Sequence, residues 1–305
     1  MAIHDDRGAQ RTMESKFVRA NGINLHYVSA GGGQPIVFVH GFPEFWRAWE
    51  DQLREFAKDR LAIALDMRGY NLSDKPAGVE AYAVSRLVED LRQFLRSFGH
   101  APATLVAHDW GGVCAWAFAA RHPELLDRLV IINSPHPATL VRELLANPAQ
   151  REAMSYTLLF RSARGEAMLS DRNYARLARM FETWEIGGGK LDPALVSAYK
   201  EAWAKPGALT SALNYYRATS LHPPGPGEPG VASVQFDPAA TLVRVPTQVI
   251  WGEKDPALLT CLLDGLEEFV PNLRIDRIPD GTHWVAHEFP DQVNRLIRDF
   301  LAQPF

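Results

Sequence analysis

The sequence predicts an α/β fold: a mostly parallel central sheet with helices on both faces and an inserted helical lid. Three observations carry that expectation. Apolar runs at 35–39, 61–65, 103–107, 127–132 and 246–251 are continuous rather than alternating, so they read as strands buried on both faces. Helical patterns stand between the runs at about 46–57, 84–99 and 111–121, and another follows the last run at 258–269. From about 136 to 235 the alternation of strand and helix stops, and only helical patterns remain.

Residues 1–15 are polar and charged and read as a loose N-terminal tail without the apolar stretch of a secretion signal; Met13 is a second candidate start. Residues 17–29 alternate as a hairpin turning at Asn21-Gly22, a pair suited to the positive backbone angles of a tight turn. Glycines 31–33 break the chain before the strand at 35–39. The α/β core is expected over 16–135 and 236–305, the last strand at 273–278 preceding a final helix. The insertion, 136–235, carries helical patterns at about 140–147, 151–161, 171–183, 193–204 and 209–220, closed by the proline- and glycine-rich stretch 223–230. An insertion leaving the carboxyl edge of such a sheet covers the crevice where these sheets bind ligands, and so reads as a lid.

Composition narrows the class. The chain has 305 residues, 47% hydrophobic and 22% charged, as expected of a globular domain with a large core. A formal net charge of −4 argues against nucleic acid or an anionic membrane as partner. No apolar run approaches a membrane span. The two cysteines, Cys114 and Cys261, lie in apolar patterns and read as unpaired thiols of a cytoplasmic protein. Oligomeric state is left open, a homodimer included.

The stretch Val106-Ala107-His108-Asp109-Trp110-Gly111-Gly112 is the most informative segment. It joins a strand to a helix in a small-x-nucleophile-x-small pattern, in which small neighbours let the backbone turn sharply and push one side chain out above the sheet. Asp109 occupies the position where an esterase would have serine. Serine attacks acyl carbons. A carboxylate makes an ester best by displacing a leaving group from saturated carbon, which points to opened epoxides or released halides. The plainer reading is that Asp109 caps the following helix.

A carboxylate nucleophile needs a base for the water of the second step, and the base needs an orienting acid. His283, in Pro279-Asp280-Gly281-Thr282-His283-Trp284, is the candidate base, and Asp255, in the loop after the run at 246–251, the candidate acid. Asp280 and Glu253 are neighbouring acids less well placed to point inward. In His40-Gly41-Phe42-Pro43-Glu44 the N–H of Phe42, together with that of Trp110, would form an oxyanion hole. Two insertion tyrosines, Tyr156 and Tyr216, offer neutral donors, since phenols ionise only near pH ~10. Each residue has a bland reading as well: a loop histidine, a turn residue before Pro256, packed aromatics.

With these residues assembled, the chain resembles the α/β-hydrolase-fold epoxide hydrolases from about residue 16 to its C-terminus. The motifs are His40 to Glu44, Asp66-Met67-Arg68-Gly69-Tyr70, His108 to Gly112, Tyr156, Asn214-Tyr215-Tyr216-Arg217, Asp255 and Gly281 to Trp284. The resemblance implies Asp109 as nucleophile, His283 as base, Asp255 as its acid, and Tyr156 and Tyr216 as ring-opening donors. It implies no cofactor and no metal, and a small uncharged apolar substrate in a pocket that includes His40, Phe45 and Trp284. Haloalkane dehalogenases share the Asp-Trp pair; here Phe42 lacks the polar side chain of one of their branches, leaving Trp184 or Trp203 as second halide donor. Fluoroacetate dehalogenases carry arginines where this chain has Trp110 and Val113, so a small carboxylate would lose its bidentate partners. A non-catalytic ligand-binding protein on the same fold is the remaining alternative.

Overall fold

A computed structural model describes residues 12–99, 101–183, 191–235 and 237–304. One sheet runs through the molecule: β1 (Glu14–Ala20), β2 (Ile23–Gly31), β3 (Pro35–Val39), β4 (Leu61–Leu65), β5 (Ala103–His108), β6 (Leu126–Ile132), β7 (Thr247–Gly252) and β8 (Leu273–Ile278). Its order is β1-β2-β4-β3-β5-β6-β7-β8. β2 is antiparallel to β1 and β4, and every pairing from β4 to β8 is parallel.

The continuous apolar runs form these strands because both faces are covered. Side chains of a strand alternate between faces. Val37, Val39, Ile63, Leu65, Leu105, Leu129 and Val249 join one apolar layer, while Ile36, Phe38, Ala62, Ala64, Val106, Val130 and Ile250 join the other. The second layer is closed by α1 (Glu50–Phe56) and the C-terminal helix, with Leu53 and Phe56 meeting Val293, Ile297 and Phe300. The first is closed by α2 (Val84–Arg96), α3 (Trp110–Arg121) and the inserted helices. In α2 Leu87, Val88, Leu91, Phe94 and Leu95 face inward at helical spacing.

Between β6 and β7 lie α4 (Pro137–Ala146), α5 (Pro148–Ala153), α6 (Tyr156–Arg161), α7 (Gly165–Thr183), α8 (Pro193–Trp203) and α9 (Ala208–Arg217); α10 (Val285–Glu288) and α11 (Pro290–Leu301) end the chain. Local chemistry sets several starts. Pro148 and Pro193 open α5 and α8, where a missing N–H costs nothing, and the side chains of Asn147 and Asp192 cap them. The inserted helices are tied to loops at the carboxyl ends of β3 and β4. Tyr199 donates to Glu44 (2.9 Å), Trp203 Nε1 to the Pro43 carbonyl (2.5 Å) and Tyr215 to the Arg68 carbonyl (2.7 Å).

The largest departures from expectation are these. Glu14 and Ser15 belong to β1 and not to a tail, and residues 1–11 lie outside the described residues. The helix expected at 258–269 is two single turns, Thr260–Leu263 and Leu266–Glu268, because Gly265 between them takes a left-handed φ of 70°. The expected helix 151–161 breaks at Met154-Ser155 into α5 and α6. α7 starts earlier than expected, at Gly165, and its backbone leaves the helical region over Asp171 to Tyr174. Among the described residues no helix is long and apolar enough to cross a membrane.

Candidate active site

β5 ends at His108 and α3 begins at Trp110, so the chain reverses on Asp109 alone. Asp109 has φ 49° and ψ −120°, a conformation L-residues seldom adopt. Its carbonyl is held by the Ser134 hydroxyl (2.7 Å) and the Val113 N–H (3.0 Å). Sterics permit the turn only with glycine beside it. A Cβ on Gly111 would sit 2.4 Å from the Val39 carbonyl, and one on Gly41 2.3 Å from both Cβ and Oδ1 of Asp109. Asp109 stands at the N-cap position of α3, yet its side chain makes no capping hydrogen bond. Instead Oδ1 accepts from the Phe42 N–H at 2.7 Å. Trp110 opens α3, so its amide is among the first-turn groups that find no acceptor within the helix.

His283 and Asp255 come from loops after β8 and β7. Nε2 of His283 faces Asp109 Oδ2 at 3.8 Å, and its Nδ1–H donates to Asp255 Oδ2 at 2.7 Å. Asp255 accepts from three further groups: Asn133 Nδ2 (2.8 Å) and the amides of Ala257 and Leu258 (2.9 Å each). With four donors the buried carboxylate is fully satisfied and fixed, and it sets the imidazole tautomer with Nε2 directed at Asp109. Burial alone would raise the Asp255 carboxyl, but the adjacent His283 and these hydrogen bonds hold it below its ordinary range. Burial would lower His283; Asp255, and then the charge of Asp109, outweigh it and raise the imidazole.

A cavity of about 480 Å3, part of it open to solvent, lies over Asp109. Tyr156 on α6 and Tyr216 on α9 line it with Asp109, and Val113, Leu140, Met154, Leu221 and Leu258 supply apolar wall. Tyr216 is wedged edge-on between Phe42 (5.3 Å between ring centres), Trp110 (5.1 Å) and Phe160 (5.2 Å). Burial, then the nearby charge of Asp109, raises both phenols above their ordinary value, so both carry their protons at neutral pH.

Three expected pocket residues are not on that wall. His40 is fully buried; Nδ1 meets the Gly41 carbonyl (2.8 Å) and Nε2 accepts from the Met67 N–H (3.1 Å), which braces the loop carrying Phe42. Phe45 packs on Tyr199, and Trp284 on Phe181 with its indole directed at the Met180 carbonyl. A sequence motif marks the loop these rings belong to, but not the side of it they face. Of the two tryptophans considered as halide donors, Trp184 lies outside the described residues and Trp203 is committed to the Pro43 carbonyl (2.5 Å).

Sequence reasoning missed Asn133 and Glu44 as individual contributors. Asn133, with φ 36°, follows β6 and bridges β7 to Asp255, accepting from the Gly252 N–H at 2.8 Å. An asparagine at the carboxyl end of a buried strand was the available signal, since Asn tolerates that φ. Glu44 is buried among His287 (2.6 Å), Tyr199 (2.9 Å) and His108 (3.2 Å), and His108 in turn contacts the His283 carbonyl at 2.9 Å. No local pattern brings four such distant residues together. Cys114 and Cys261 are free thiols, the first buried and the second partly so.

The α/β-hydrolase-fold family model matches residues 34–290. Mouse (Mus musculus) epoxide hydrolase 4 is 34% identical over 94% of this chain and 78% of its own length. The AB hydrolase superfamily protein YfhM of Bacillus subtilis is 37% identical over 95% of this chain and 98% of its own. Among solved structures, a Bacillus megaterium epoxide hydrolase bound to an inhibitor superposes with a TM-score of 0.86 at 36% identity, covering 94% of this chain and all of that one. A variant of the Bacillus megaterium enzyme complexed with its naphthyloxy-propanediol product gives a TM-score of 0.86 at 37% identity, over 94% of this chain and all of that one. The chain belongs to the epoxide hydrolases of the α/β-hydrolase fold.

Proposed function

We propose that this protein hydrolyses small, uncharged, mostly apolar epoxides to vicinal diols through an ester on Asp109. The observation that carries the reading is one carboxylate with two facing partners. Asp109 Oδ2 stands 3.8 Å from an imidazole oriented by Asp255, and the same residue shares an apolar cavity with two protonated phenols. In the first step Oδ2 attacks a ring carbon while Tyr156 and Tyr216 donate to the oxirane oxygen, so that the developing alkoxide never stands alone. Oδ1, held by the Phe42 amide, becomes the ester carbonyl.

Ester formation removes the charge of Asp109, one of the groups that raise the imidazole. His283 therefore loses affinity for its proton at the stage where a base is required. It deprotonates water, the water attacks the ester carbonyl, and the amides of Phe42 and Trp110 receive the charge. The halide-releasing reading is weaker, because Phe42 has no polar side chain and Trp203 is engaged elsewhere. The reading extends to a cytoplasmic enzyme, which the two unpaired thiols support.

A single turnover in heavy-oxygen water tests the covalent route. The label is expected in the Asp109 carboxylate, with an unlabelled first diol. Label in the first diol and none in the protein refutes it. A paired assay with styrene oxide and a haloalkane separates the two enzymatic readings. Turnover of neither, with Asp109→Asn and wild type equally stabilised by the epoxide, would favour a binding protein.

A further inference from the structure

A second nucleophile–imidazole–carboxylate series lies at the opposite end of the sheet from β8. His26 on β2 is 1% exposed, and its Nδ1 meets Asp66 Oδ2 at 2.6 Å; Asp66 itself is fully buried. Asp66 also accepts from the Trp46 N–H on Oδ1 (2.9 Å) and from Asn71 Nδ2 on Oδ2 (2.7 Å), so the carboxylate cannot turn away. A carboxylate at Nδ1 places the imidazole proton there and leaves Nε2 as an acceptor. Nε2 stands 2.8 Å from the hydroxyl of Ser15, which is exposed on the edge strand β1. Phe17 pairs with His26 across the two strands and lies on the same face as Ser15, two residues along. Its ring is 57% exposed and centred 5.0 Å from the imidazole.

These are the parts by which a hydroxyl nucleophile is recognised on any fold: the nucleophile within hydrogen-bond reach of a base, and the base oriented by a buried acid. We propose that Ser15, His26 and Asp66 form a second, surface acyl-accepting site for aryl esters, with Phe17 as the platform for the aromatic leaving group. Ser15 Oγ attacks the ester carbonyl as His26 Nε2 takes its proton. The bond to the aryl oxygen breaks, and the phenol leaves with that proton, yielding acetyl-Ser15 from an aryl acetate. Water, activated by the same imidazole, later releases acetate and restores the hydroxyl. The tetrahedral oxyanion forms at an exposed edge and is stabilised by solvent, so acylation is slow beside that of an enclosed site. This site is independent of Asp109 and does not rest on the epoxide reading.

The test is incubation of the full chain with 1-naphthyl acetate, followed by peptide mapping of acetyl groups and measurement of naphthol release. Acetylation is expected on Ser15 and is expected to persist in Asp109→Asn. It should vanish in Ser15→Ala and slow by about 10²-fold or more in His26→Gln. Phe17→Ala should raise KM for the naphthyl ester while leaving the rate at saturation nearly unchanged. His26→Gln is checked for folding by circular dichroism. If it does not fold, a solvent deuterium isotope effect on Ser15 acetylation in the wild type serves in its place. Acetyl groups spread evenly over surface residues, Ser15 acetylated as fast in a folded His26→Gln, or an isotope effect of unity overturns the proposal.

Discussion

Replacing Tyr216 or Tyr156 by phenylalanine removes one hydroxyl from the cavity over Asp109 and keeps the ring. For Tyr216 the edge-on contacts to Phe42, Trp110 and Phe160 survive, so folding stability is expected to change by no more than about 1 kcal/mol. The cost falls on the alkoxide. A hydrogen bond to a charged group contributes about 1.5–3 kcal/mol, which at 1.36 kcal/mol per decade slows ring opening by about 12- to 160-fold for either single variant. The phenols serve one oxygen and each can cover for the other, so the double variant is expected to be non-additive and to lose about 160-fold or more, the combined effect of two losses of about 1.5 kcal/mol. Rapid quench with intact-protein mass detection separates ester formation from ester hydrolysis. Ester formation should slow and hydrolysis of the ester should not. A double variant within threefold of wild type, or a loss confined to ester hydrolysis, would refute the assignment of the phenols as donors.

Further outcomes follow from the same geometry. His283→Gln should form ester but not hydrolyse it, so that mass spectrometry finds protein plus one substrate on Asp109 and steady-state turnover falls by about 10³-fold. His283 is raised in the free enzyme partly by the charge of Asp109, which the ester removes, so ester hydrolysis, measured by pH-jump of preformed ester, should begin to decline with falling pH at a lower pH than that at which His283 titrates in the free enzyme. Gly41→Ala drives a Cβ to 2.3 Å from Asp109 Oδ1 and should abolish ester formation while the circular dichroism spectrum is retained. At the buried cluster His287 and His108 outweigh burial and lower Glu44, and Glu44 outweighs burial and raises His287. The stability of that pair is therefore complete between about pH 4.3 and 6.5. It is lost as pH falls through the Glu44 value and as it rises through that of His287. Glu44→Gln should accordingly lower Tm most near pH ~5.5 and much less at alkaline pH; a deficit independent of pH would contradict this.

The strands were legible because parallel strands covered on both faces are written as unbroken apolar runs, and β3, β4, β5 and β6 match their expected limits within a residue or so. The candidate triad was legible because each member sits in a short local pattern at a strand end: Asp109 between small residues, Asp255 before a proline, His283 in a glycine turn. The pocket wall was not. Leu140, Met154, Leu221 and Leu258 reach it from four separate segments, and nothing near them in the chain distinguishes them from ordinary core residues. His40 and Trp284 erred the other way, standing in the right motifs with their rings turned into the core.

Taken by itself, the sequence determined the layering of the molecule, the elbow at Asp109 and the choice of a carboxylate there, because period, turn chemistry and residue type act over a few neighbouring residues. Only the tertiary structure decided which oxygen of Asp109 the Phe42 amide holds, which apolar side chains wall its cavity, and that Asn133 holds Asp255 while Glu44 reaches the His283 carbonyl through His108. Those relations join residues up to 243 positions apart, as with His287 and Glu44, and they form only once packing has consumed the chain's freedom to place them elsewhere.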